Sequence, residues 1–211
     1  MAIDFSAKDL PHTNLAVWKI EETEHDLLNL LPPLKSKEAE FLQNISHTAR
    51  RMEWLASRVL IHRLTGLYPA IHYNRNGQPT LPGSKKNISI SHTHHYAAIL
   101  LSEESMPGVD IEFPSSRIRK VSDRFLNPKE KTFINDTTSD LQMGIIWCAK
   151  EAIYKTAGIP GLIFKDQIII SAFHPVDDHG ILKASLITQE REQQLLLNYR
   201  IDQNYFLVWT K

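Results

Sequence analysis

Residues 147–155, with the sequence WCAKEAIYK, place one acid beside two bases in a segment of strong helical character. In a helix, Glu151 and Lys155 are four residues apart and share a face. Lys150 lies about 100° around the axis from Glu151. Two interpretations stay open from this segment alone. Glu151 and Lys155 are either a surface ion pair, which is the commoner case at this spacing, or an acid and a base that serve one site.

A second acidic pair lies upstream in Val109-Asp110-Ile111-Glu112-Phe113. Its strict alternation predicts a strand with Asp110 and Glu112 on one face, about 7 Å apart. Two carboxylates that are buried together need a cation, whereas an exposed edge strand needs none. Mg²⁺ takes a few carboxylate oxygens and completes its shell with water and phosphate oxygens. The functional interpretation is therefore a metal site, with Glu151 as the candidate third ligand.

Phosphate groups bound at such a site need positive partners. Lys155 lies one helical turn after Glu151, and His92 ends a predicted strand in the run Ser91-His92-Thr93-His94-His95. A transition-metal site on the three histidines stays open, although their spacing in a turn is a weak metal signal. Ser91 and His92 are not expected to form a hydrolase dyad, because neighbours on a strand point in opposite directions.

Composition bounds the class of protein. The 211 residues are 42% hydrophobic and 23% charged, with zero net charge, so bulk charge predicts no nucleic-acid partner. Cys148 is the only cysteine, which excludes an intrachain disulfide and a cysteine-based zinc site. The sequence shows neither a signal-peptide pattern nor an apolar run that spans a bilayer. We therefore expect a cytoplasmic protein without a membrane partner.

Hydrophobic periodicity and turn residues predict a mixed order of elements. We expect helices over residues 21–31, 37–42, 48–64, 117–125, 127–134 and 140–157. We expect strands over residues 15–20, 87–92, 96–102, 109–113, 167–171, 181–188, 195–201 and 205–210. The arginines of the helix 48–64 form either a solvated face or an anion site. Each half has an opening strand, helices with the longest last, and then three or four strands, which predicts two similar α+β halves, residues 1–105 and 106–211.

Three segments in register resemble the 4′-phosphopantetheinyl transferase superfamily: Ile90-Ser91-His92-Thr93, Gly108-Val109-Asp110-Ile111-Glu112 and Trp147-x-x-Lys150-Glu151-Ala152-x-x-Lys155. The chain is most similar to the monomeric, pseudo-dimeric branch whose type member activates a surfactin synthetase, and the resemblance covers roughly residues 35–170. It implies an α+β fold of two halves related by a pseudo-twofold axis, with the active site at their interface. Coenzyme A would bind on the side of residues 1–105, and the carboxylates and catalytic helix would come from residues 106–211.

The resemblance also implies a reaction. Such enzymes move the 4′-phosphopantetheine arm of coenzyme A to a serine of an apo acyl or peptidyl carrier protein and release adenosine 3′,5′-bisphosphate. Asp110, Glu112 and Glu151 would hold Mg²⁺, with Mn²⁺ as the alternative ion. Glu151 would accept the serine proton, directly or through a metal-bound water. Lys155 would bind the pyrophosphate, and Lys150 would neutralise the developing charge.

The remaining expected contacts are with coenzyme A and the carrier. Residues implied to bind coenzyme A are Arg51, Gln78, Pro79, Ser91, His92 and Lys155, with Arg51 at the 3′-phosphate. Gln78 stands where the family often has lysine, and Ser89 stands where asparagine is usual. The carrier, an acidic helical bundle, would dock near residues 117–125. Two other hypotheses stay open: a Mg²⁺-dependent phosphohydrolase that uses the same acids, and a family member that binds without turnover.

Overall fold

The computed structural model describes residues 3–7 and 12–211. Its helices are α1 (Glu24–Asn29), α2 (Ser36–Gln43), α3 (Thr48–Thr65), α4 (Ile118–Phe125), α5 (Pro128–Lys131), α6 (Ser139–Ala157) and α7 (Phe164–Gln167), with a 3₁₀ turn over Asp136–Thr138. Its strands are β1 (Ile3–Ala7), β2 (Thr13–Lys19), β3 (His72–Tyr73), β4 (Pro79–Thr80), β5 (Asn87–Thr93), β6 (Tyr96–Ser102), β7 (Val109–Glu112), β8 (Ile168–Ile170), β9 (His179–Ile187), β10 (Glu192–Ile201) and β11 (Phe206–Thr210).

The first sheet has the order β1-β2-β6-β5, and its neighbouring strands are antiparallel. Helix α3 covers one face of this sheet because Leu55, Val59 and Leu60 recur at helical spacing and are fully buried. Gly66 ends α3 in the left-handed conformation, with φ of 69°, and its N–H bonds the carbonyl of His62.

The second sheet has the order β7-β11-β10-β9-β8, also antiparallel. Helix α6 packs on it through a buried apolar stripe that includes Ile145, Ala149, Ala152 and Ile153. Its C-terminus is capped by Gly158, whose φ is 59°. The short β3–β4 hairpin forms a separate two-stranded ribbon.

The two sheets share an apolar core at the point where β5 and β6 meet β7. Leu15 and Leu100 from the first sheet pack with Val109, Ile111 and Leu207 from the second. Side chains of β5 extend the contact to the backbone of the other sheet, since the N–H of Val109 donates to Ser89 Oγ over 3.0 Å. This junction brings β5 and β7 side by side and places Ser91 next to Asp110.

The mixed α+β class is confirmed, and most predicted elements are present within about three residues of their expected ends. Strand β6 matches its predicted range, and α6 begins one residue earlier than predicted. The prediction of one helix over 127–134 is wrong, because only Pro128–Lys131 is helical. Strand β1 and the β3–β4 ribbon were not predicted; β1 is a short, partly exposed edge strand, and β3 and β4 have only two residues each. No helix of the described residues is both long and apolar enough to cross a bilayer.

Candidate active site

Strand β7 directs its two acids at helix α6. Val109 and Ile111 point into the core between the sheets, so the alternate residues Asp110 and Glu112 face the other way. Trp147 Nε1 donates to Glu112 Oε1 over 3.0 Å, and Lys155 Nζ donates to Asp110 Oδ1 over 2.8 Å. The predicted alternation of this strand is therefore confirmed, and both carboxylates are held by side chains of the same helix.

Asp110 is the most enclosed acid of the site, with 4% of its surface exposed. Its Oδ1 accepts hydrogen bonds from Ser91 Oγ over 2.8 Å and from Lys155 Nζ. Its Oδ2 is buried and has no hydrogen-bond partner among the described residues. A buried carboxylate oxygen without a donor is costly, so Oδ2 is the atom of this site that most needs an external partner.

Burial and mutual repulsion govern the charges of the two glutamates. Burial, followed by the negative charge of Asp110, raises the pKa of Glu151 to about 7, and Lys155 partly offsets this rise. The pKa of Glu112 is raised by the same two causes and is lowered in part by the Trp147 hydrogen bond. The three carboxylates therefore share one electrostatic environment and repel each other, as expected of a cation site.

The surface ion pair between Glu151 and Lys155 is absent from the part of the chain that the structure describes. Lys155 Nζ instead lies 2.8 Å from Asp110 Oδ1 and 3.0 Å from the carbonyl oxygen of Val109. The base of the helix thus pairs with Asp110 rather than with Glu151, and Lys155 is the local counter-ion of the carboxylate cluster formed by Asp110, Glu112 and Glu151.

The donor set fits a hard divalent cation. Carboxylate oxygens are the ligands that Mg²⁺ prefers, and Asp110 Oδ2 offers one that has no hydrogen-bond partner within residues 3–7 and 12–211. Across residues 3–7 and 12–211, no group of three or more His, Cys, Asp or Glu side chains is already gathered closely enough to hold a metal ion. The fit therefore rests on the chemistry and the charge of Asp110, Glu112 and Glu151.

His92 and His94 contact different parts of the molecule. His92 Nδ1 lies 3.1 Å from Glu53 Oε2 of helix α3, and the His94 ring packs 4.4 Å from the ring of Phe113. Neither arrangement resembles a transition-metal site. His92 instead lines two adjoining cavities, which also share Tyr73 and Ile90.

The first of these, the basic cavity, has a volume of about 450 Å³ and contains Arg50, Trp54, Arg58 and His92 in its lining. The guanidinium of Arg58 lies 3.3 Å from the centre of the Trp54 ring. The basic residues predict that an anion binds in this cavity, and the aromatic rings predict that the ligand has a planar group.

The second, the junction cavity, has a volume of about 210 Å³ and lies between the β3–β4 hairpin and the end of α6. Gln78 and Pro79 line it on one side, and Lys155 lines it on the other. Two of the residues predicted to bind coenzyme A thus lie beside Lys155. Ser91, also predicted as a coenzyme A contact, uses its hydroxyl to bond Asp110.

Lys150, predicted to neutralise charge at the reacting phosphate, faces away from Asp110 and Glu112 in this structure, and its role in the reaction stays a prediction. Its side chain is fully buried, and Nζ donates to Glu130 Oε2 over 2.8 Å and to the carbonyls of Phe125 and Phe164 over 2.7 and 3.1 Å. Burial lowers the pKa of Lys150, and Glu130 partly restores it. A helix that turns Glu151 toward β7 must turn the preceding residue away, here toward α4, α5 and α7.

Arg51, predicted to contact a 3′-phosphate, lines neither of the two cavities, and that contact stays a prediction. Its guanidinium forms an ion pair with Glu24, with Nε 2.8 Å from Oε2, and donates to the carbonyl oxygen of Leu42 over 2.8 Å. The neighbouring Arg50 lines the basic cavity instead. The basic face of α3 was visible in the sequence, but the sequence did not reveal that Glu24 would neutralise Arg51.

Comparison with known proteins identifies a family match in the C-terminal half and relatives that align over more than half of the chain. Residues 106–194 match the model of the 4′-phosphopantetheinyl transferase superfamily. A Salmonella typhi protein named 4′-phosphopantetheinyl transferase AcpT is 32% identical over 115 residues, covering 52% of this chain and 60% of the relative. An Escherichia coli K12 protein of the same name is 32% identical over 131 residues, covering 59% of this chain and 66% of the relative.

The alignments thus span 60% of the length of the first relative and 66% of the second. The segment matched by the family model contains the strand that carries Asp110 and Glu112 and the helix that carries Glu151 and Lys155. The family match and the structure therefore point to the same group of side chains on β7 and α6. Residues 106–194 thus match the 4′-phosphopantetheinyl transferase superfamily, and the chain is similar to proteins named for that activity.

Proposed function

We propose that this protein is an enzyme that transfers the 4′-phosphopantetheine group of coenzyme A to a serine hydroxyl of an apo carrier protein, and releases adenosine 3′,5′-bisphosphate. The observation that carries the proposal is the unpartnered, buried Oδ2 of Asp110 beside Glu151, at the junction of the two sheets and next to the two cavities. The transferase names of the relatives agree with it.

Asp110, Glu112 and Glu151 would hold Mg²⁺, or Mn²⁺ in its place. The ion, when bound, would neutralise the pyrophosphate charge that develops as the phosphoanhydride (P–O–P) bond is cleaved. Glu151, whose pKa in the metal-free protein is raised to about 7 by burial and by the charge of Asp110, would accept the proton that the carrier serine loses. Lys155 would place a positive charge beside the pyrophosphate without leaving Asp110.

In the bond exchange, the serine oxygen forms a bond to the β-phosphorus of the coenzyme A pyrophosphate. The bond between that phosphorus and the bridging oxygen breaks, and the bridging oxygen leaves with adenosine 3′,5′-bisphosphate. The serine proton moves to Glu151. Positioning and charge neutralisation supply most of the catalysis in such a displacement.

We assign coenzyme A to the two adjoining cavities. Arg50 and His92 of the basic cavity supply positive or hydrogen-bonding groups for a phosphate, and Trp54 offers an aromatic surface. Lys155, Gln78 and Pro79 of the junction cavity lie between this site and the carboxylates. The route from one cavity to the other passes His92 and Tyr73, which line both.

The carrier would dock beside α4, as the sequence predicts. A cavity of about 250 Å³ there is lined by Arg117, Ile118, Val121, Trp147 and Glu112, so it leads from an apolar helix face to a carboxylate of the site. We further propose that residues 1–105 and 106–211 are two halves related by a pseudo-twofold axis, and that the protein acts as a monomer.

The test is to incubate the protein with coenzyme A, Mg²⁺ and an apo carrier protein and to measure the intact mass of the carrier. We expect a gain of one phosphopantetheine group. Phosphate release from coenzyme A without a gain on any of several carriers would favour a phosphohydrolase. Coenzyme A binding without turnover would favour a protein that only binds its ligands.

A further inference from the structure

The side chain of Gln78 joins the β3–β4 hairpin to the last turn of α6. Its Nε2 donates to the carbonyl oxygen of Lys155 over 2.9 Å. Its Oε1 accepts from Asn74 Nδ2 over 3.1 Å, so the amide is held from both sides. The residues it connects, Gln78 and Lys155, come from different halves of the chain. The bond therefore joins the β3–β4 hairpin to helix α6, which carries Glu151 and Lys155.

The end of α6 is shaped to receive this amide. Gly158 caps the helix, and a Cβ at that position would lie 2.5 Å from Gln78 Nε2 and 2.6 Å from Gln78 Oε1. A side chain of any size at residue 158 would therefore occupy the place of the amide. Its positive φ of 59° also favours glycine. The close packing is an observation separate from the hydrogen bond, and both indicate that Gln78 is seated in a fitted position.

The joined elements are opposite walls of the junction cavity. Asn76, Gly77 and Gln78 of the hairpin line one side, and Lys155 and Gly158 line the other. Lys155 accepts the Gln78 bond through its backbone and holds Asp110 through its side chain. The position of the hairpin is thereby tied to the position of the carboxylate cluster.

We propose that Gln78 is a positioning residue: its amide clasps the hairpin to the end of α6 and so sets the width of the junction cavity and the affinity for coenzyme A. This inference rests on the proposed function, because it assigns coenzyme A to that cavity. It gives a role to the residue at which the sequence departs from the family's usual lysine. The Gln78 amide holds the C-terminal end of α6 by a hydrogen bond, and this role does not require the positive charge of a lysine.

The test compares Gln78→Ala, the isosteric Gln78→Glu and the control Thr80→Ala. Glutamate keeps the size of the side chain but presents no donor to the Lys155 carbonyl when ionised. Thr80 lies on the same hairpin and bonds the carbonyl oxygen of His72, without reaching α6. We expect both Gln78 variants to weaken coenzyme A binding about tenfold in calorimetry with coenzyme A alone. We expect KM for coenzyme A to rise by a similar factor, kcat to change by less than about twofold, and Thr80→Ala to match the wild type.

A double substitution separates the clasp from a general loss of stability. Gly158→Ala should raise KM in the wild-type background by displacing the amide, but should raise it no further when Gln78 is already alanine. Unchanged binding in both Gln78 variants, a fall in kcat without a change in KM, or additive effects in the double variant would each overturn the proposal. If the wild type binds coenzyme A but transfers nothing, the proposed function fails while the clasp is still tested by binding. If the wild type does not bind coenzyme A, both fail.

Discussion

Asp110 determines the chemistry of the site because its two oxygens have different surroundings. Oδ1 accepts from Ser91 and Lys155, while Oδ2 is buried without a donor. One oxygen thus fixes the carboxylate in place, and the other is left for an external group. Its charge also contributes to the raised pKa of Glu151 in the metal-free protein.

The raised pKa of Glu151 predicts that this residue lowers the stability of the metal-free protein in a pH-dependent way. In the folded state Glu151 keeps its proton up to about pH 7, whereas in the unfolded state it releases the proton near its ordinary pKa of 4.5, so folding is penalised progressively as pH rises between these values. Glu151→Gln should remove the penalty. We expect the free energy of unfolding in urea and EDTA to increase by about 1–3 kcal/mol at pH 8, after allowance for partial exposure, and by less at pH 5. An equal change at both pH values would contradict the assignment.

Breaking the buried ion pair between Lys150 and Glu130 should cause a large loss of stability. Both side chains are 0% exposed, and Glu130 also accepts from the backbone N–H groups of Asn127 and Ile170. Lys150→Met would leave a buried carboxylate without its cation, at a cost of about 3–5 kcal/mol. The double variant Lys150→Met/Glu130→Gln should recover part of this loss, because it removes the charge and keeps an acceptor oxygen. Urea unfolding checks both, and a single variant as stable as the wild type would refute the role of the pair.

At the scale of residues, the sequence was informative where local spacing decides orientation. Alternation along one strand was enough to place Asp110 and Glu112 on one face, and helical spacing placed Lys155 one turn from Glu151. The roles of Lys150 and Arg51 depend instead on Glu130 and Glu24, which lie far away in the chain. No local pattern indicates such partners.

The close approach of strand β7 to helix α6 is the contact between elements that assembles the site. Gly108, which precedes β7, makes it possible because a Cβ there would lie 2.0 Å from the carbonyl oxygen of Ala152 and 2.3 Å from Thr156 Oγ1. The glycine of the Gly-Val-Asp-Ile-Glu motif therefore allows the strand to pack directly on the helix. Asp110, two residues further along the chain, can therefore form its ion pair with Lys155.

Gly108→Ala should push β7 and α6 apart. Because the shorter contact is with a backbone oxygen, the helix or the strand must move, and we expect a loss of about 1–3 kcal/mol in stability. Transfer activity should fall more than tenfold, since misplacing reacting groups by about 1 Å costs on the order of 10²-fold in rate. Thermal unfolding and the carrier mass assay check the two effects. Thr156→Ala should not rescue the variant, and wild-type activity in Gly108→Ala would contradict the packing argument.

Among the elements, long and strongly patterned segments were predictable. Helix α6 has apolar residues at helical spacing and clear stop signals after it, and strand β6 is a continuous, fully buried run of mostly apolar residues. Strand β1 was missed because it is a partly exposed edge strand that depends on pairing with β2. The segment 127–134 has a clear helix start, with Asn127 capping and Pro128 in the first turn, but the helix ends after one turn.

The site lies where the two sheets share their core, so the whole molecule contributes to it. Ser91 comes from the first sheet and Asp110 from the second, and their hydrogen bond crosses the junction. Leu100 of the first sheet is fully buried against residues of the second. Loss of this core would separate the two cavities from the carboxylates.

The shared core predicts that the two sheets unfold together. Trp18 lies in the first sheet and Trp209 in the second, so tryptophan fluorescence and far-UV circular dichroism should report one coincident transition in urea. Leu100→Ala should lower the free energy of unfolding by about 2–5 kcal/mol without splitting the single transition into two. Two separate transitions, or loss of structure in one sheet only, would show that the halves are stable independently.

At the scale of the molecule, the order of elements predicted a mixed α+β fold, and the structure agrees. The order of strands within each sheet could not be read from the chain, because β7 pairs with β11 and β2 with β6, far apart in sequence. The pseudo-twofold relation between the halves stays a prediction. The family motifs supplied the link between distant segments that periodicity alone could not give.

The most direct test of the central claim is to measure transfer by the Asp110→Asn variant. Asparagine keeps the shape of the side chain and can still bond Ser91, but it removes the charge that faces Glu151 and Lys155. With coenzyme A, Mg²⁺ and an apo carrier, the intact mass of the carrier should rise by one phosphopantetheine group with the wild type. Asp110→Asn, folded by circular dichroism, should be slower by about 10²-fold or more. Transfer by Asp110→Asn at the wild-type rate would contradict the account.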